Sequence, residues 1–163
     1  MAAMVQFALL VAPILIPIKG HAQAVSSRPP PRLSFAYLSP SAQPGRPKSK
    51  ASEDSLTLNV RIEIAEGWHI NSDAPMDEFL VPTTLEIKSE GVEFGKPRYP
   101  RPEIQHNAIM GNLSLFSGTI DVEVPAKRLG RPSAGAPRTS VTLHYQSCNN
   151  SMCLPPKSIT VEQ

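Results

Sequence analysis

The sequence predicts an all-β fold, an antiparallel β-sandwich, within residues 52–163 of the 163-residue chain. About six to eight short segments alternate apolar and polar residues, which is the two-residue period of a half-buried strand. Turn-forming residues separate these segments, and no window shows the 3.6-residue apolar stripe of an amphipathic helix. Many short strands with frequent turns are typical of two packed antiparallel sheets.

The first 24 residues are predicted to be a secretory signal peptide. Residues 5–18 form a nearly unbroken apolar run, and residues 22–24 (Ala-Gln-Ala) give the small-x-small pattern of a cleavage site. The run is short for a membrane-spanning helix, and two prolines interrupt it. The alternative is an uncleaved membrane-surface anchor, since no Lys or Arg precedes the run. In both cases we expect a periplasmic or secreted location, where disulfides persist.

Residues 25–51 are predicted to be a flexible linker. The segment is rich in proline and basic residues, whereas all 14 acidic residues lie after residue 50. Such a composition does not bury a core. Its positive charge indicates a solvated tether or, alternatively, weak attraction to anionic lipids or cell-wall polymers, which would be the chain's membrane contact. The basic and aromatic residues of this segment do not show the interleaving that would suggest nucleic-acid binding.

The strand assignments begin at residue 55. Residues 55–64 alternate between an apolar face and a polar, solvated face, and Gly67 ends this strand. Residues 84–88 predict a short strand, and residues 92–94 suggest another. Three prolines between residues 97 and 102 then exclude a central strand, because proline lacks the backbone N–H that pairing requires.

Two further alternating runs occupy residues 113–124 and meet near Gly118, and a loop rich in Gly, Pro, Ser and Ala covers residues 129–137. The inward positions of all these strands form the predicted core: Leu56, Leu58, Val60, Ile62, Trp68, Leu85, Ile87, Leu115, Ile120, Val122, Val141, Leu143 and Tyr145.

The only two cysteines, Cys148 and Cys153, lie between an alternating segment (residues 141–145) and a second strand (residues 159–161). This order predicts a β-hairpin whose closed end brings the cysteines face to face. A disulfide there closes a very small loop and contributes only about 2 kcal/mol. Such a bridge at an exposed tip favours redox chemistry, and a permanent structural disulfide is the alternative. No Lys or Arg lies within the loop to lower the thiol pKa.

Three short blocks carry a family resemblance. The first is Gly-Trp-His-Ile-Asn at residues 67–71, followed by Pro75 and by Val-Pro-Thr at residues 81–83. The second, weaker block is Tyr-Pro at residues 99–100. The third and most specific block is Tyr-Gln-x-Cys followed by Cys-Leu-Pro-Pro, within residues 145–156. Together they resemble the N-terminal periplasmic domain of the DsbD-type thiol:disulfide interchange proteins, over about residues 52–162.

The resemblance implies an immunoglobulin-like sandwich that carries one redox pair. Such a domain takes reducing equivalents from a thioredoxin-like protein or domain and passes them to oxidised exported proteins. By resemblance Cys153 forms the mixed disulfide with partners and Cys148 resolves it. No organic cofactor and no metal are implied, because the two sulfurs carry the electrons. The chain ends about ten residues after Cys153, so we expect either a stand-alone module supplied by separate partners or a relative that no longer performs the family's function.

The resemblance also implies a cap loop over the cysteine pair, near residues 105–112. Its predicted cap and partner surface comprises His106, Asn107, Ile109 and Met110. Some family members have an acidic pair followed by Phe at this point, whereas residues 107–111 here are Asn-Ala-Ile-Met-Gly. Ile109 or Met110 could still shield the disulfide as an apolar lid. Four further residues are expected near the site: Trp68, His69, His144 and Tyr145.

Two other functions stay open from the sequence. One is a β-sandwich binding module with a purely structural disulfide. The other is a metal-binding periplasmic protein, in which Cys148, Cys153 and His144, with Met152 or His106, would bind copper or zinc. The residue patterns favour positions without a metal-binding role for both histidines. His144 is expected to be half-exposed on its strand, and His69 is expected on the surface.

If the cap shields the disulfide, shortening Ile109 and Met110 to Ala should speed its reduction by a small thiol such as dithiothreitol. The measurement is the rate of thiol appearance in the double variant and in the unmodified protein. Equal rates would show that these two side chains are not a lid.

Overall fold

The described residues form strands, turns and loops without a helix. The computed structural model describes residues 30–38, 54–108, 110–130 and 137–163. The predicted signal segment and Ile109 lie outside these residues. Within the described part of the chain, no helix is long and apolar enough to cross a membrane. The predicted fold class is confirmed, since the described residues are all-β and form antiparallel sheets.

Eleven strands are present in the described ranges. In chain order they are β1 (Arg32–Leu38), β2 (Ser55–Glu63), β3 (His69–Asn71), β4 (Thr84–Ser89), β5 (Val92–Phe94), β6 (Glu103–Asn107), β7 (Gly111–Ser117), β8 (Thr119–Arg128), β9 (Thr139–Tyr145), β10 (Ser147–Cys148) and β11 (Lys157–Glu162). They form three sheets with the strand orders β1-β2-β8-β5, β10-β3-β7-β6 and β11-β9-β4. Every pairing between these strands is antiparallel.

The core is built on the register of β2 against β8. Alternate residues of the two strands face each other and are buried, because successive side chains of a strand point to opposite faces. The facing pairs are Leu58–Val124, Val60–Val122 and Ile62–Ile120. Side chains of β9 join the same buried cluster from the third sheet: Val141, Leu143 and Tyr145.

The predicted core is confirmed at most of its positions, with three exceptions. Leu85, Ile87 and Trp68 are only partly buried against the main cluster. Leu85 and Ile87 lie on β4, an edge strand of its sheet, and Trp68 lies in the turn before β3, so each has an open side. Five buried residues of the main cluster were missing from the predicted core: Phe35, Ile64, Ile70, Phe116 and Val124. The Phe116 ring stacks on Tyr99, with ring centroids 6.0 Å apart.

The linker predicted over residues 25–51 is wrong for its central part. Arg32–Leu38 forms β1, which pairs along its full length with β2. The side chain of Phe35 is only 6% exposed and belongs to the main core. The folded domain therefore begins before residue 52. Flanking prolines and basic residues dominate the composition here, and they masked the alternation of Leu33, Phe35 and Tyr37.

The cysteine hairpin is confirmed, with one important difference. β9 and β11 pair in register from Tyr145 opposite Lys157 onward. The chain between them does not simply turn back. Ser147 and Cys148 leave this sheet and pair, as β10, with Ile70 and His69 of β3 in the second sheet. The closed end of the hairpin thus connects two sheets, and this connection positions the cysteines.

Replacing Phe35 by Ala should lower the free energy of unfolding by about 3 kcal/mol, because it removes a buried aromatic side chain from the core. The measurement is urea unfolding of the disulfide-bonded protein. Leu38→Ala on the same strand is the control, since Leu38 is 47% exposed and should cost less than about 1 kcal/mol. Equal, small losses in both variants would mean that β1 is not part of the cooperative fold.

Candidate functional site

Cys148 and Cys153 form a disulfide with unequally exposed ends. Their Cα atoms are 4.0 Å apart, and the two residues also form an isolated bridge in an antiparallel arrangement. Cys148 is only 4% exposed, whereas Cys153 is exposed. The expectation of a disulfide at an exposed tip is therefore correct for Cys153 and wrong for Cys148. Cys148 is buried because β10 holds it against β3.

The segment between the cysteines is a tight turn organised by Asn149. Its side-chain Oδ1 accepts hydrogen bonds from the backbone N–H groups of Ser151 and Met152, both at 2.8 Å. Its own N–H donates to the carbonyl of Met152 at 2.9 Å. Asparagine commonly stabilises turns in this way. Just beyond Cys153, the N–H of Leu154 donates to the carbonyl of Ser147 at 2.8 Å, which closes the loop.

Asn71 anchors the cysteine loop to the rest of the second sheet. It is fully buried, and its Nδ2 donates to the carbonyl of Val81 at 2.9 Å and to Oε1 of Gln146 at 3.3 Å. Gln146 in turn donates to the carbonyl of Leu154 at 3.2 Å. The backbone carbonyl of Asn71 accepts a short hydrogen bond from the buried hydroxyl of Thr83. A buried network with paired polar groups holds its members in one arrangement.

The region predicted as a cap loop is a β-hairpin formed by β6 and β7. His106 pairs with Asn112 and Asn107 with Gly111, so the strands continue close to the turn. Gly111 has a φ of 76°, a conformation that glycine adopts most readily. Oδ1 of Asn107 accepts a hydrogen bond from the N–H of Met110 at 3.0 Å. The strand character of residues 103–107 was not predicted, because its side chains are mostly exposed and show no apolar alternation.

A cavity of about 280 Å³ lies between this hairpin and the disulfide. Both cysteines line it, together with four of the predicted site residues: His69, His106, Asn107 and Met110. Its other lining residues are Asn71, Leu80, Gln105, Ala108, Leu113, Asn149 and Asn150. The structure therefore brings the cysteine pair and the described part of the predicted cap to one place, with Met110 42% exposed at its edge.

Three other predicted site residues do not line this cavity. Tyr145 is buried in the main core, where burial raises the pKa of its phenol, and Trp68 packs partly against the same core. His144 lies on the outer face of the third sheet, where its ring Nδ1 is 2.7 Å from the hydroxyl of Ser158. Its Nε2 is 3.6 Å from a carboxylate oxygen of Glu86.

The metal site considered from the sequence finds no support in this arrangement. His144 is occupied by Ser158 and Glu86 rather than facing the cysteines. Across the described ranges, no group of three or more His, Cys, Asp or Glu side chains is placed to hold a metal ion.

His69 is a buried site residue, and the surface position expected from its sequence context is wrong. It lies directly opposite Cys148 in the β3–β10 pairing and is 9% exposed. Burial lowers the pKa of its imidazole below the ordinary value of 6.5. No apolar–polar alternation indicates this burial, because β3 has only three residues and all are buried.

Three residues that shape the site were not singled out from the sequence as site residues: Asn71, Leu80 and Leu113. Asn71 lies within the first block of family resemblance, and that position was the available signal. Leu80 and Leu113 form a small apolar cluster with Leu115 beside the cavity. Leu80 follows an irregular loop, so no strand periodicity marks it as buried.

Comparison with known proteins gives a consistent picture. The family model described as "Thiol:disulfide interchange protein DsbD, N-terminal" matches residues 38–163. The thiol:disulfide interchange protein DsbD of Actinobacillus pleuropneumoniae serotype 5b (strain L20) is 24% identical over 156 residues, which are 96% of this chain and 23% of that protein. The chain thus spans about a quarter of that relative's length.

Two solved structures are similar at low identity. The N-terminal periplasmic domain of ScsB from Proteus mirabilis has a TM-score of 0.49 at 15% identity, covering 71% of this chain and 42% of that one. A complex between the DsbD N-terminal and PilB N-terminal domains from Neisseria meningitidis has a TM-score of 0.45 at 16% identity, covering 65% of this chain and 73% of that one.

The lowered pKa of His69 should make the protein less stable in mild acid. Below about pH 6.5 the unfolded chain binds a proton at this histidine more readily than the folded chain does. The stability that neutral His69 provides is therefore present above about pH 6.5 and is lost as the pH falls through the folded-state pKa. The measurement is the free energy of unfolding of the protein and of a His69→Gln variant, between about pH 7.5 and pH 5.

The difference in stability between the two proteins should shrink as the pH falls. His144→Gln, which changes a partly exposed histidine, should keep the acid-dependent loss of the unmodified protein. A difference that stays constant over the whole range would contradict the assignment to His69.

Proposed function

Because the chain belongs to the family of DsbD N-terminal domains, we propose that it is a thiol–disulfide exchange module that relays reducing equivalents through Cys148 and Cys153. Thioredoxin-like proteins would be its electron donors, and oxidised exported proteins would be its acceptors. The two sulfurs carry the two electrons, so the exchange needs no organic cofactor.

The observation that carries the proposal is the unequal exposure of the two sulfur-bearing residues. Disulfide exchange begins when a thiolate attacks one sulfur of the bond, so access decides which sulfur is attacked. Cys153 is exposed, whereas Cys148 is buried between the cavity and β3. A partner's thiolate would therefore reach Cys153, and Cys148 would be the leaving group.

In the reductive step, the donor thiolate attacks Sγ of Cys153 and forms a new S–S bond. The Cys148–Cys153 bond breaks, and Cys148 leaves with the electron pair as a thiolate that is then protonated. A second thiol of the donor attacks the mixed disulfide and releases Cys153, so the donor becomes oxidised and the domain gains two electrons. The reduced domain then repeats the sequence in reverse on the disulfide of an acceptor.

The β6–β7 hairpin is proposed to act as the lid of this site. Met110 lines the cysteine-lined cavity and is 42% exposed. Its backbone N–H donates a hydrogen bond to the side chain of Asn107, which would hold Met110 beside the cavity. A partner that binds Cys153 would contact this hairpin and the Asn149 turn. Periplasmic location is part of the proposal, because the disulfide must escape the reducing cytosol and the first 24 residues resemble a signal peptide.

The reduction potential of the Cys148–Cys153 pair tests the proposal directly. Equilibration with a dithiothreitol or glutathione buffer, followed by thiol trapping, should give a value above about −300 mV, because structural disulfides of exported proteins lie below that value. A potential at or below it would identify a structural bridge and favour the alternative of a binding module.

Trapping of a mixed disulfide tests the roles of the two cysteines. The Cys148→Ala variant should form a stable mixed disulfide through Cys153 with a single-cysteine thioredoxin activated by thionitrobenzoate. The matched Cys153→Ala variant retains only the buried cysteine. Its rate of mixed-disulfide formation should be at most about a tenth of the rate of Cys148→Ala. The release of thionitrobenzoate measures both rates. Equal rates in the two variants would contradict the assignment of Cys153 as the attacked sulfur.

A further inference from the structure

We propose that His69 is the base that takes the proton of the Cys148 thiol when Cys148 resolves a mixed disulfide on Cys153. The inference rests on the proposed exchange function and goes beyond the family's cysteine pair. It assigns a proton-transfer role to a histidine that lies about 80 residues away in sequence and next to Cys148 in the sheet.

The strand register is the first support. Cys148 and His69 are directly opposite each other in the antiparallel pairing of β10 with β3. Opposite residues of an antiparallel pair project to the same face, with Cβ atoms about 4.5–5.5 Å apart. Both residues line the same cavity, and both are at least nine-tenths buried. The pairing of β10 with β3 places the backbone of Cys148 next to that of His69.

The chemical need for a base is the second support. A thiol must be a thiolate before it attacks a disulfide, and burial away from cations disfavours that charged form. Among the described residues that line the cavity there is no Lys, Arg, Asp or Glu. The titratable groups there are the two cysteines, His69 and His106. His106 is exposed, and its Nδ1 is 3.1 Å from Oδ1 of Asn112, which leaves His69 as the buried base.

One acidic residue, Glu103, lies near His69 through a hydrogen bond with Ser117. On the other side of β3, Ser117 of β7 lies opposite His69. The hydroxyl of Ser117 donates to a carboxylate oxygen of Glu103 on β6 at 2.9 Å. Glu103 is exposed, and desolvation is the cause that lowers the pKa of His69. At neutral pH the imidazole is therefore mainly neutral, and a neutral imidazole has one ring nitrogen that can accept a proton.

The proton and the electrons balance as follows. In a mixed disulfide between Cys153 and a partner sulfur, the Cys148 thiol gives its proton to the neutral imidazole. The Cys148 thiolate attacks Sγ of Cys153, the Cys148–Cys153 bond forms, and the bond to the partner sulfur breaks. The partner sulfur leaves with the electron pair and takes the proton back from the imidazolium. Cys148 is thereby oxidised, the partner is reduced, and His69 returns to its neutral form.

The reaction of the reduced protein with dithionitrobenzoate separates the modification of Cys153 from the later attack by Cys148. Cys153 reacts first and releases one thionitrobenzoate, and attack by Cys148 then releases the second in a phase that does not depend on reagent concentration. At about pH 7, His69→Gln should slow this second phase about tenfold, which corresponds to a one-unit rise in the apparent pKa of Cys148. At about pH 9.5 the thiol ionises unaided, and the two rates should converge.

The pH profile distinguishes proton transfer from a structural role. A His69→Gln variant that is merely distorted would be slower by the same factor at every pH, and that outcome would overturn the proposal. An unchanged second phase at about pH 7 would overturn it as well. His144→Gln is the matched control and should leave the second phase unaltered, since His144 lies on the outer face of the third sheet.

A second variant covers the case in which His69→Gln does not fold. In His69→Ala, added imidazole should restore the second phase at about pH 7, whereas an added alcohol of similar size should not. Absence of rescue in a folded His69→Ala protein would count against the proposal.

The test is independent of the identity of the electron donor. If the unmodified disulfide resists thioredoxin-like proteins, the proposed function fails while the dithionitrobenzoate phases still report on His69. If thioredoxin-like proteins reduce it and the His69 variants show no pH-dependent loss, the function stands and the present inference fails.

Discussion

Two residues, Ser147 and Cys148, impose the main constraint on this domain. They leave the sheet to which β9 and β11 belong and pair with β3 in another sheet. Because the hydrogen bonds of a strand pair determine which faces its side chains occupy, this pairing buries Cys148 and directs it toward the cavity. Cys153, five residues later, has no such strand and stays exposed. The difference between the two cysteines thus originates in the backbone rather than in their immediate chemistry.

The remainder of the structure supports that pairing from both sides. On one side, β9 is held by β4 and β11 and contributes its inner face to the main core. On the other side, β3 is held by β7, and buried Asn71 connects it to Gln146 and Val81 through hydrogen bonds. A buried polar group that loses its partner costs about 1–3 kcal/mol, so the cysteine loop cannot shift without disturbing this network.

Much of the fold was predictable, because most strands bury one face and alternate in sequence. The strand of residues 55–64 and the two runs around Gly118 are of this kind, and the core follows from them. β1 was missed because the six prolines and five basic residues of residues 25–51 suggested a disordered composition, although this segment places Phe35 in the core. β6 was missed for the opposite reason, since its exposed side chains show no periodicity.

Only those features of the site that lie within one continuous segment of the sequence were predictable. The cysteine pair and the hairpin around it follow from a continuous segment, and the resemblance to a known family provided the expectation of a cap loop. The burial of His69 depends on pairing between residues about 80 positions apart, and no local pattern records such a contact. The same holds for Asn71, whose partners lie on separate loops. What the sequence could not indicate was which residues, far apart along the chain, contact each other in the fold.

The single exposed cysteine has a further consequence for the order of events in the proposed relay. Donor and acceptor must both bond to Cys153, and one sulfur cannot join two partners at once. In such a relay the two proteins would compete for one docking face and would have to bind in turn, without a ternary complex on Cys153. Turnover would follow ping-pong kinetics, in which excess acceptor slows the loading of electrons by occupying the face that the donor needs.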